Sequence, residues 1–115
     1  MSRDDAILFD IDHAARLACQ FVLGMDRDQF LSDDKTQSAA ICQLVWAGDA
    51  IKQLSSKARA ASPQISWAAF AEMSDDLLEH YYRVDLEAVW RTVQADVPEL
   101  VRRIAPLVPK RDQQK

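Results

Sequence analysis

Glycine is nearly missing from this sequence. Its 115 residues include only Gly24 and Gly48, too few for a glycine-rich phosphate loop or for the repeated turns of an all-β sandwich. No apolar run approaches the roughly 20 residues of a membrane span, and the N-terminus lacks a basic-then-apolar signal pattern, so no membrane association is expected. Positive charge is also in short supply: fourteen Lys and Arg stand against eighteen Asp and Glu, a net charge of −4. A sequence with a pI near 5.0 lacks the overall field of a general nucleic-acid binder. The two cysteines, Cys19 and Cys42, fall in helical-looking segments. A disulfide could join them, but free thiols in a reducing cytoplasm are the expectation. Histidine occurs twice, as His13 and His80, without metal-ligand spacing to the cysteines. The pairs Asp10/Asp12 and Asp26/Asp28 lack the glycine and terminal glutamate of a calcium loop. No metal or cofactor is expected.

Helical periodicity dominates what is present. Ile7, Leu8, Ile11, Ala15, Ala18, Phe21 and Val22 recur at three- and four-residue steps, an apolar stripe on a helix of about five turns. Gly24 suits its left-handed cap. Residues 25–35 read as a polar connector with a short helical turn anchored by Phe30 and Leu31. A second long helix begins near Asp33 or Asp34 and carries Ala40, Ile41, Leu44, Val45, Gly48, Ile51, Leu54 and Ala58, ending before Pro63. A glycine within a helix costs about 1 kcal/mol, so Gly48 implies close approach of another helix. Ser66 is the expected cap of a short helix over 67–73, with Trp67, Phe70 and Met73 on one side, and residues 74–83 continue as helix or turn. Asp85 heads a last long helix from Leu86 to Leu107, which Pro98 should bend or interrupt. The expected fold is all-α, an antiparallel bundle of four to five helices, with a single domain over 1–108 and a frayed polar tail over 109–115.

One stretch stands out by charge. Between residues 72 and 87 lie Glu72, Asp75, Asp76, Glu79, Asp85 and Glu87 with one base, Arg83, and with His80, Tyr81 and Tyr82. On a continuous helix Asp75 and Glu79 share a face one turn apart, which costs a few tenths of a kcal/mol.

The stretches "DKTQSAAICQLVWAGDAIKQLS", "PQISWAAFAEM" and "YYRVDLEAVWRTVQADVPELV" together resemble the HepT-like proteins of the HEPN superfamily, in order from about residue 7 to residue 108. The resemblance implies a helical bundle that dimerises. It also implies the ribonuclease toxin of a toxin–antitoxin pair, with a minimal nucleotidyltransferase as antitoxin. The family's motif is an Arg, four to six residues, then His, any residue and Tyr. In such a site the His would do acid–base work on the RNA 2′-hydroxyl or leaving oxygen, and the Arg would stabilise phosphate charge. In the ungapped alignment Met73, Asp75, Tyr81, Val84 and Asp85 fit, but Ser74 stands at the arginine position and Glu79 at the histidine position. Serine cannot offer a bidentate cation, and the charge of a glutamate repels a phosphodiester; Arg83 could at best pair with Glu79. The resemblance makes Tyr81 the expected AMP acceptor.

Three functions follow as expectations. The first is a HepT-like toxin homologue with weak or absent ribonuclease activity. The second is an active ribonuclease using His80 and Tyr82, through a one-residue slip that also reads His-x-Tyr, with a cation from Arg83, Arg102 or Arg103. Local acidity opposes approach of RNA in that case. The third is a non-catalytic dimerisation or adaptor module, for which Trp46, Trp67 and Trp90 are the large residues whose exposure matters.

Overall fold

The computed structural model describes residues 1–80 and 82–109. Helix α1, Arg3–Phe21, starts on a reciprocal cap: the Ser2 hydroxyl accepts from the Asp5 N–H at 3.1 Å, and the Asp5 carboxylate accepts from the Ser2 N–H. Gly24 turns the chain at φ +82°, where a side chain would be strained. The short α2, Arg27–Leu31, buries Phe30 completely, and its ring lies 5.3 Å from that of Trp90.

Helix α3, Asp34–Lys52, is headed by Asp33, which accepts from the Thr36 N–H at 3.0 Å. It stops well before Pro63, and the expected continuity to Ala58 fails. Ser55 breaks the helix by donating its N–H and hydroxyl to Asp4, at 3.0 and 2.6 Å, and by capping the short α4, Ser56–Ala60. Leu54 stays buried beyond the break, so the apolar spacing marked burial correctly and continuity wrongly. Loop 61–66 is folded by the Trp67 indole, which donates to the carbonyls of Arg59 and Ser62, both at 3.2 Å.

Helix α5, Trp67–Glu79, runs six residues past the expected 67–73, and the Ser66 hydroxyl makes no capping bond. Asp85 does cap α6, Leu86–Arg91, accepting from the N–H groups of Glu87 and Ala88 at 3.1 Å. The Pro98 interruption takes the form of a wide π-helical turn over Thr92–Asp96, in which the Val97 N–H reaches back to the Thr92 carbonyl. A proline ring clashes with the carbonyl four residues earlier and offers no N–H, and the wide turn absorbs both. Helix α7, Val97–Ile104, and a 3₁₀ turn, Ala105–Leu107, complete the described chain. The tail over 110–115 lies outside the described residues.

Helix α3 is central, packed on α1 on one side and α5 on the other, with α7 against α1. Ile11, Phe30, Leu44, Ile51, Val93 and Ile104 form the fully buried centre. The described residues contain helices and turns only, and no described helix is long and apolar enough to cross a membrane. Cys19 and Cys42 are unbonded and half-buried on different helices, and burial raises the Cys19 thiol pKa.

Gly48 has the tight neighbour its position implies. A Cβ built there would fall on Ser74 Cβ and lie 2.8 Å from the Phe70 carbonyl oxygen and 2.9 Å from Ser74 Oγ. The α3 and α5 backbones approach closely because both positions are small.

Candidate functional site

The acidic stretch is the second half of α5 and the turn after it. Its apolar face is Trp67, Phe70, Ser74 and Leu77, all buried. Ser74 thus occupies an interior position, with no exposed surface and its hydroxyl donating to the Val45 carbonyl at 3.0 Å. The position matched to the family's arginine is therefore enclosed between α3 and α5. The matched acids Asp75, Glu79 and Asp85 are exposed, whereas Met73 and Val84 pack partly against the core. Asp75 is exposed and ion-paired with Lys52 of α3, which offsets its repulsion from Glu79. Glu79 is exposed at the end of α5, and no pair with Arg83 forms. Tyr81 lies outside the described residues.

His80 follows α5 as its terminal cap, its N–H donating to the Asp76 carbonyl at 3.0 Å. Its Nδ1 lies 3.0 Å from the Asp76 carboxylate and 3.2 Å from the Asp76 carbonyl oxygen, an arrangement that turns Nε2 away from the helix. The Arg83 N–H donates to the His80 carbonyl at 2.8 Å, closing a tight turn. His80, Arg83, Asp76 and Asp85 then share a shallow groove of about 160 Å³. Tyr82 is 91% exposed beside it. The two other expected cations do not line this groove: Arg102 and Arg103 both bind Glu99, and Arg103 also donates to the Gln64 carbonyl. Those arginines hold the Glu99 carboxyl below its ordinary range.

Chemically, the groove offers an imidazole steered by a carboxylate and one guanidinium, within a surface otherwise acidic. Among the described residues no cluster of His, Cys, Asp and Glu could hold a metal ion. The sequence pattern missed the Lys52–Asp75 pair and the π-helical turn behind the groove. The burial of Ser74 had a readable signal: its seven-residue step from Trp67 and three-residue step to Leu77 put it on the apolar stripe.

The three tryptophans divide. Trp67 is buried, Trp90 is half-buried against Phe30, and Trp46 is 60% exposed. Trp46 and the exposed Leu78 border an apolar groove of about 450 Å³ between α3 and α5, floored by Ile41, Val45 and Leu77.

Comparison with known proteins gives a consistent answer. The family described as "Ribonuclease HepT-like" matches residues 11–107. A probable ribonuclease HepT of Thermococcus cleftensis is 37% identical over 93 residues, covering 81% of this chain and 84% of that protein. A candidate RNase of Methanocaldococcus jannaschii is 33% identical over 103 residues, covering 90% and 85%. Another candidate RNase, from Caldanaerobacter subterraneus, is 26% identical over 96 residues, covering 80% and 86%. No solved structure gives a significant match. With nearly the whole helical domain matched, the chain belongs to the HepT-like ribonuclease family of the HEPN superfamily.

Proposed function

We propose that this chain is the toxin-side member of a toxin–antitoxin pair whose partner is a minimal nucleotidyltransferase, and that its own RNA cleavage is weak or lost. The family and the relatives named as ribonucleases supply the activity, RNA cleavage. The burial of Ser74 carries the departure from it. Cleavage needs a cation against the developing phosphate charge, and the position matched to that cation is closed inside the α3–α5 contact. Glu79, at the matched histidine position, adds negative charge at the surface. Tyr81 is the assigned AMP acceptor, and the homodimer is assigned to the Trp46 and Leu78 face, an exposed apolar surface of the kind that marks an interface.

A second reading is favoured by one observation: His80, oriented by Asp76, shares a groove with Arg83. An acid–base group and a cation are both present there, so residual cleavage would run through His80. Incubating the purified chain with RNA, beside a His80→Ala variant, tests both readings. No cleavage, or slow cleavage unaffected by the substitution, supports the first; cleavage abolished by His80→Ala establishes the second. Intact-mass measurement after incubation with ATP and a minimal nucleotidyltransferase tests Tyr81, which should gain AMP and lose it in Tyr81→Phe.

A further inference from the structure

A larger cavity, of about 360 Å³, lies behind the His80 groove between α5 and the π-helical turn. That volume is within the range of about 300–1,000 Å³ usual for small-molecule sites. Phe70, Met73, Ile65 and Leu100 give it an apolar side, and Arg103 lines it with its side chain already bound to Glu99 and the Gln64 carbonyl. The π-helical turn contributes Thr92 and Asp96, one turn apart. Asp96 is exposed and makes no ion pair with the described residues, whereas Glu99 at the far rim is already held by Arg102 and Arg103. Met73 and Thr92 line both this cavity and the smaller groove of His80 and Arg83, so the two adjoin.

We infer that the cavity holds a nucleobase bearing an exocyclic amine, with its ribose and phosphate directed toward His80 and Arg83. A flat heteroaromatic ring suits the apolar side, with the Met73 thioether against its face or edge. An ionised carboxylate accepts hydrogen bonds and donates none, so Asp96 selects an edge that presents N–H groups, as carboxylates do with the cytosine amine. Adenine, guanine and cytosine present that amine, and uracil presents carbonyl oxygens in its place. Arg83 is the cation of the smaller groove, set against Asp76 and Asp85, which confines favourable phosphate contact to its end of the groove. The π-helical turn, a feature frequent at functional sites, thereby acquires a role beyond relieving Pro98. The inference deepens the proposed function, resting on a nucleotide reaching the end of α5, and does not require that the chain cleave RNA.

The test is amide NMR of the ¹⁵N-labelled chain titrated with AMP, GMP, CMP and UMP. Shifts concentrated at residues 69–73 and 92–96 for the three amine-bearing nucleotides, with UMP binding about tenfold more weakly, are expected. Asp96→Ala should remove that discrimination while leaving the melting temperature unchanged, as its exposed position allows. A parallel titration with UUAU and UUUU tetranucleotides separates sources: tighter binding of UUAU than AMP indicates an RNA residue, and equal or weaker binding a single nucleotide. Absence of shifts at these residues, equal binding of UMP, or discrimination surviving Asp96→Ala overturns the inference. Because binding is read without turnover, failure of RNA cleavage in the separate assay leaves this result standing, and the reverse also holds.

Discussion

Gly48→Ala is a one-carbon change with a calculable sign. Away from any contact it would stabilise α3 by about 0.5–1 kcal/mol, the ordinary advantage of alanine over glycine in a helix. Here the added carbon falls on Ser74 Cβ and lies 2.8 Å from the Phe70 carbonyl oxygen. That carbonyl is fixed in the α5 backbone, so the helices must separate. Overpacking of this kind costs about 1–3 kcal/mol, and separation also stretches the Ser74–Val45 hydrogen bond, whose loss costs about 1 kcal/mol. The net effect is destabilisation by about 2 kcal/mol. Urea unfolding should show the midpoint falling by about 1 M, given slopes of about 1–3 kcal/mol/M for chains of this size. Adding Ser74→Gly should recover part of the loss, since one of the two obstacles disappears. A Gly48→Ala variant as stable as the parent, or more so, would refute the close α3–α5 contact.

The same contact governs Ser74→Arg, which places a cation where no surface is exposed. It should cost about 3 kcal/mol or more and lower the melting temperature by roughly 10 °C or more; a melt near that of the parent would mean that position 74 reaches solvent and reopen it as a phosphate site. Acid should destabilise the fold with a defined sign. The Asp4 carboxyl is held below its ordinary range by the Ser55 hydroxyl and N–H, Asp33 by the Thr36 N–H and hydroxyl, and Glu99 by Arg102 and Arg103. Their stabilisation is present above the ordinary carboxylate range near pH ~4 and lost as pH falls through the depressed values, so melting temperatures should drop below pH ~4. Ser55→Ala should flatten part of that drop, and an unchanged slope would remove Asp4 from the account. The parent chain should sediment as the proposed homodimer and Trp46→Ser with Leu78→Ser as a monomer, without a lower melting temperature; a monomeric parent would overturn the homodimer, and an unaltered dimer would move the interface elsewhere.

The helices were legible because their apolar residues repeat at the helical period and because Asp33 and Asp85 stand where free N–H groups need acceptors. The end of α3 was not, because Ser55 is held by Asp4, 51 residues away in sequence, and no local pattern encodes that partner. Pro98 announced an interruption, but its form depends on how the bundle keeps Val93 and Val97 both buried. At the candidate site the residue types were readable and their exposure was not. Motif alignment put Ser74 beside Asp75 and Glu79 as one set, and the fold sends the serine inward and the acids outward. His80 and Arg83 come together because a tight turn follows α5, a feature the spacing left open between helix and turn.

The proposal that this HepT-like chain keeps the helical bundle but has lost efficient RNA cleavage stands or falls on one rate. The direct measurement is the single-turnover rate of RNA cleavage by the purified chain beside His80→Ala. The account predicts no cleavage above background, or a slow rate that the substitution leaves unchanged. A substantial rate that His80→Ala abolishes would contradict it and make the Asp76–His80–Arg83 groove the working site.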